Sequence, residues 1–88
     1  MILDNKEHSH FEQTEDGKLV FASYRMKDGA YALVHVESDA ELRGHGAAGR
    51  FMAALVDYAR AQDLKLLPYC SYARAWFQRH PEAKDVLP

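Results

Sequence analysis

Glu41-Leu42-Arg43-Gly44-His45-Gly46-Ala47-Ala48-Gly49-Arg50-Phe51-Met52 marks the point where one periodicity replaces another. Upstream, Ala30 to Glu37 alternates as a strand, with Tyr31, Leu33, His35 and Glu37 expected on one face and Ala32, Val34 and Val36 on the other. Downstream, Ala48, Phe51, Met52, Leu55, Val56 and Ala59 recur at three- and four-residue steps, which predicts a helix from Ala47 to about Gln62 with one apolar stripe. Between the two, Arg43 heads a turn containing Gly44 and Gly46. A turn that opens a helix leaves backbone N–H groups without partners, at the end where the helix dipole favours negative charge. The stretch therefore predicts a phosphate-binding turn.

Working outward toward the N-terminus, Asp28-Gly29 and Asp16-Gly17 are hairpin signals, because both can supply a positive φ. They bracket Leu19 to Met26, a strand rich in β-branched and aromatic residues, and a shorter strand at Phe11 to Thr14. Residues 1 to about 9 read as a loose lead-in. Toward the C-terminus, Asp63 ends the helix, and Leu64 to Leu67 is a short fourth strand stopped by Pro68. With a helix between them, the third and fourth strands are expected to lie parallel through a crossover. Ser71 is the expected N-cap of a final helix from Tyr72 to Arg79. His80-Pro81 stops that helix, and Trp76 and Phe77 would pack it on the sheet. The expected fold class is α+β: an antiparallel three-strand meander, a crossover helix, a short fourth strand parallel to the third, and a C-terminal helix, all in one domain spanning residues 1–88.

Composition excludes several classes. The net charge is −2 and no Lys/Arg-rich run occurs, which argues against nucleic acid as a partner. The apolar runs are too short to span a bilayer, and the N-terminus has no signal-peptide core. Cys70 is the only cysteine, so no intramolecular disulfide forms, in keeping with a cytoplasmic location. A short sheet with an open edge allows a monomer or a weak homodimer.

Four further residues have side chains suited to chemistry. Cys70 follows a strand and precedes a helix, where a thiol is favoured as thiolate. It would line the site or accept an acyl group covalently; the bland alternative is a buried cysteine packing as a small hydrophobe. Tyr72 could donate a proton, or pack with its hydroxyl at the surface. His35 and Glu37 stand two residues apart on one strand, about 7 Å along it, and either could act as a base. Their ordinary roles would be a hydrogen-bonded histidine and a solvated carboxylate. His35-x-Glu37 lacks a third ligand, so no metal is expected. Arg50, one helical turn beyond the glycines, could reach a phosphate or remain a solvated surface arginine. The letters Gly44-His45-Gly46-Ala47-Ala48-Gly49 match a dinucleotide fingerprint, but a meander precedes them and 88 residues cannot hold the rest of such a domain.

Arg43-x-x-Gly46-x-Ala48 resembles the Q/R-x-x-G-x-G/A signature of the GNAT N-acetyltransferase superfamily. Adding His35-x-Glu37, Leu66-x-Pro68-x-Cys70-Ser71-Tyr72 and His80-Pro81, the chain resembles the small single-domain members of that superfamily over roughly residues 5 to 87. Ser38-Asp39-Ala40 and Gly49 depart from the usual pattern. The resemblance implies a minimal GNAT core. Acetyl-CoA would be the cosubstrate, with its pyrophosphate held by Arg43, Gly44, His45, Gly46, Ala47 and Ala48. It implies amides near Val36 and Ser38 beside the thioester, with Cys70, Tyr72, His35 and Glu37 as catalytic candidates. The implied reaction is acetyl transfer to a primary amine, on a small molecule or on a protein lysine or amino terminus. The helices that usually cover the acceptor groove have no counterpart before Phe11, so an open acceptor site is expected. The alternative is a non-catalytic acyl-CoA-binding module or sensor subunit.

Overall fold

A computed structural model describes residues 1–88. Five strands, β1 (Leu3–Asn5), β2 (His10–Glu15), β3 (Lys18–Lys27), β4 (Ala30–Ser38) and β5 (Leu66–Pro68), form one sheet in the order β1-β2-β3-β4-β5. The first four pair antiparallel, and β5 runs parallel to β4. Helix α1 (Ala47–Gln62) makes the crossover and α2 (Ser71–Arg79) follows β5. Short 3₁₀ turns cover Ala40–Leu42 and Pro81–Val86. At Asp16-Gly17 and Asp28-Gly29 both central residues adopt positive φ, the twist that joins antiparallel strands most tightly.

The core lies between the sheet and the two helices. Phe51, Met52, Leu55, Val56 and Ala59 of α1 join Ala73, Trp76 and Phe77 of α2 in one cluster with Phe11, Val20, Ala22 and Leu33 of the sheet. Phe11 is completely buried. Its ring centroid lies 4.7 Å from Tyr24, 5.2 Å from Tyr31 and 6.0 Å from Tyr58, tying β2, β3, β4 and α1 together. Ala83 and Val86 close the cluster from the last turn.

Four expectations need correction. Residues 1 to 9 are not a loose lead-in: Leu3–Asn5 pairs with His10–Glu12, Ile2 is buried, and the Tyr24 hydroxyl donates to Asp4 at 2.6 Å. The meander thus has four strands rather than three, and the strand parallel to β4 is the fifth. The N-cap of α2 is Cys70 rather than Ser71; its Sγ accepts the Ala73 N–H at 3.3 Å.

The fourth correction concerns β4. Ser23 pairs with His35 but Tyr24 pairs with Leu33, so Val34 has no partner and forms a β-bulge. The extra residue reverses the alternation. Leu33 and Val36, not Leu33 and His35, share the helix-covered face, and His35 and Glu37 turn to the opposite face. Regular alternation was the wrong expectation because the pattern Tyr31 to Glu37 contains no local signal for the inserted residue.

Replacing Phe11 with alanine removes the common contact of the three tyrosines. The expected loss is about 3–5 kcal/mol, the usual range for a fully buried aromatic, which is a large share of a small domain's stability. Urea unfolding of Phe11→Ala measures it; a loss below about 1 kcal/mol would show that the ring cluster does not hold the sheet to α1.

Candidate functional site

Both helices start at the carboxyl ends of the parallel pair β4 and β5, the end at which α/β units gather their ligands. The parallel ladder stops early. The last register pair is Leu33 with Pro68, and the Leu33 carbonyl accepts N–H bonds from both Tyr69 and Cys70, each at 3.0 Å. Beyond that point β4 continues without β5.

The bulge decides what this free edge presents. Before it, the Tyr31 N–H bonds to Lys65 on the β5 side. After it, the Asp39 N–H bonds to Leu19 on the β3 side at 2.9 Å. Bonding direction alternates along a strand, so His35 and Glu37 also bond toward β3. Val36 and Ser38 therefore aim their amides at the gap, where no strand meets them.

The chain then makes its 3₁₀ turn, opened by Asp39, whose carboxylate accepts the Glu41 N–H at 2.9 Å. Leu42 anchors the turn in the core. Gly44 and Gly46 both take left-handed φ, +81° and +79°, a region that side-chain-bearing residues enter only with strain. Gly46 is the N-cap of α1 and has no side chain to cap it, and no acidic residue lies in the first turn. The helical ladder opens with Arg50 N–H to Gly46 O at 3.1 Å. The amides of Gly46, Ala47, Ala48 and Gly49 make no hydrogen bond within the chain. Four unpaired donors at one helix start suit a diphosphate, and an added Cβ at Gly44 would meet no atom within 4 Å, so the backbone can be approached closely there.

Two arginines stand by this turn. Arg43 makes no side-chain hydrogen bond. Arg50 is gripped by Glu15 at the end of β2, with Nε to Oε1 at 2.8 Å and Nη2 to Oε2 at 2.7 Å. The pair holds the Glu15 carboxyl below its ordinary range, chiefly through the hydrogen bonds from Arg50. The third nitrogen, Nη1, lies 3.1 Å from where a Cβ on Gly46 would sit. Glu15 was not singled out in the sequence; it lies 35 residues from Arg50 in the chain, and only the hairpin brings them together.

Cys70 and Tyr72 sit at the start of α2. The Cys70 sulfur is partly buried and committed as the helix cap. The Tyr72 hydroxyl lies 3.9 Å from where a Gly49 Cβ would be, so α2 meets the first turn of α1 at this point. Burial pushes the Tyr72 hydroxyl above the ordinary tyrosine value, opposed by Arg79 and helped by Cys70. It therefore stays protonated at neutral pH. Below it, a cleft of about 390 Å³ runs between α1 and α2 past Trp76, Arg79 and His80; it touches the turn only at Gly49.

His35 and Glu37 come together on the other face, Nε2 to Oε1 at 3.1 Å, both side chains about half exposed. They bond to each other and not to Cys70 or Tyr72, which lie on the helix side. Phe21, between them and His10, stacks on the His10 ring at 4.2 Å. No group of three His, Cys, Asp or Glu side chains converges to hold a metal ion, and no helix is long and apolar enough to cross a membrane.

A comparison with curated proteins found no match. A family model described as GCN5-related N-acetyl-transferase matches residues 10–86, a span that contains the bulged strand, the glycine turn and both helices, and the chain accordingly belongs to the GCN5-related N-acetyltransferase family.

Proposed function

We propose that the protein is an acetyl-CoA-dependent N-acetyltransferase acting on a primary amine, of a small molecule or of a protein lysine or amino terminus. The observation that carries this reading is the run of four unbonded amides, Gly46 to Gly49, beneath two left-handed glycines. Gly44 to Ala48, with Arg43, would hold the diphosphate. Acetyl-CoA supplies an activated acetyl thioester when bound.

The chain's own groups divide the remaining work. The outward amides of Val36 and Ser38 donate hydrogen bonds along the β4 edge, where negative charge develops during acyl transfer. Glu37, with His35 bonded to it, takes the proton that an ammonium must lose before its nitrogen can attack, directly or through water. The amine nitrogen bonds to the acetyl carbon as the carbon–sulfur bond breaks, the Tyr72 hydroxyl gives its proton to the departing thiolate, and the second proton of the nitrogen passes through solvent to restore the Tyr72 hydroxyl. Base and acid lie on opposite faces of the sheet plane, which suits an acceptor entering from the open face and a cosubstrate lying at the β4 edge. Cys70 lines the site. As the cap of α2 it is held by Ala73, and direct transfer does not require it as a nucleophile.

A non-catalytic acyl-CoA-binding module is the second reading. It is favoured by the exposure of His35 and Glu37, whose hydrogen bond to each other leaves them half in water.

Calorimetric titration with CoA tests the turn. Gly46→Ala is the reference, since it carries the backbone strain, about 1–2 kcal/mol for a left-handed residue with a Cβ, and the contact of that Cβ with Arg50 Nη1. Gly46→Glu adds a carboxylate beside the diphosphate and is expected to bind at least about tenfold more weakly than Gly46→Ala. Equal affinities for the two variants would mean that the diphosphate binds elsewhere.

Serine is a better helix cap than cysteine's bulkier sulfur, so Cys70→Ser preserves α2 while removing the thiol. The expected outcome is retained acetyl transfer and no acetylated protein in the intact mass spectrum of either form. A cysteine-dependent acetyl adduct, with activity lost in Cys70→Ser, would replace direct transfer with a covalent route.

A further inference from the structure

The Glu15–Arg50 pair holds a guanidinium in one orientation beside the glycine turn. An exposed ion pair contributes little to folding, and the Arg50 side chain is about half exposed. Yet the guanidinium is fixed in two respects. Glu15 occupies its Nε/Nη2 edge with a bidentate fork, the most directional contact an arginine makes. The remaining Nη1 edge is thereby turned to Gly46, beside the four amides that nothing in the chain satisfies. The carboxylate neutralises the arginine from behind, so the pair presents oriented N–H donors without adding a free charge. A flexible lysine could not be held in this way.

We infer that Arg50 is a specificity-determining residue and Glu15 its positioning residue. Together they make the site select acyl thioesters that carry a diphosphate over the same thioester on bare pantetheine. The inference rests on the reading of the glycine turn as the diphosphate site. It assigns the discrimination to the Nη1 edge of Arg50, aimed by a residue of the β2–β3 hairpin, and gives that hairpin a part in ligand choice.

Isothermal titration of wild type, Arg50→Met, Glu15→Gln and the double variant, each with acetyl-CoA and with acetyl-pantetheine, tests it. Arg50→Met is expected to weaken acetyl-CoA about tenfold, the scale of one charge-assisted hydrogen bond, and to leave acetyl-pantetheine unchanged. Glu15→Gln is expected to weaken acetyl-CoA about threefold, through lost orientation, and to have no effect once Arg50 is methionine. Melting temperatures should move little in every case. If Arg50→Met does not fold, Arg50→Lys takes its place; it keeps the charge, loses the fork, and should again weaken acetyl-CoA alone. The inference is overturned if Arg50→Met binds acetyl-CoA like wild type, if both ligands weaken together, or if Glu15→Gln binds acetyl-CoA more tightly. Should wild type bind neither thioester, the reading of the turn fails and this inference with it. If wild type binds acetyl-CoA and Gly46→Glu does not, that reading stands and Arg50→Met alone decides.

Discussion

One inserted residue, Val34, governs the rest of the candidate site. Without it, β4 would keep its alternation and its bonding direction to the end. Val36 would then bond to β3, and His35 and Glu37 would face the helices. With it, the Val36 and Ser38 amides face the gap beside β5, and the two titratable side chains turn to the open face. Bulges locally disrupt a ladder and re-aim side chains, and here one bulge does this on both sides of the sheet. The early end of β5 completes the effect, because the Leu33 carbonyl takes the Tyr69 and Cys70 N–H groups and the chain then turns directly into α2.

The second constraint is the start of α1. A helix normally satisfies its first amides with a serine, threonine or aspartate cap. Here the cap is Gly46, no acidic residue lies in the first turn, and the Arg50 guanidinium lies beside it. Helix α2 differs, since Cys70 caps it and its sulfur takes the Ala73 N–H. Both helices begin at the same end of the sheet, and all four opening donors of α1 are free. Gly49 and Tyr72 then bring the two starts together.

Much of this is legible in the residues, for identifiable reasons. Asp16-Gly17 and Asp28-Gly29 carry the turn geometry in their own chemistry, and the apolar stripe of α1 fits only one period. The glycine turn is legible because left-handed backbone requires its glycines. What is not legible depends on distant contacts. Leu3-Asp4-Asn5 has no strand pattern and is held by pairing with β2 and by Tyr24. Tyr31 to Val34 are all apolar, so residue type alone does not place the slip at Val34. Ser71 is the stronger capping residue by type, but Cys70 occupies the position. Glu15 reads as a hairpin-end carboxylate until the fold sets it against Arg50.

The central claim is that the unbonded amides of the turn and of the β4 edge form one anion- and thioester-binding line. Amide-resolved NMR titration of the uniformly ¹⁵N-labelled protein with CoA measures this directly. The expected result is that the shifts concentrate at Gly46, Ala47, Ala48 and Gly49, extend to Val36 and Ser38, and spare β1 and the Asp28-Gly29 turn. Shifts confined to the cleft around Trp76, Arg79 and His80, with the turn and the β4 edge unmoved, would contradict the account.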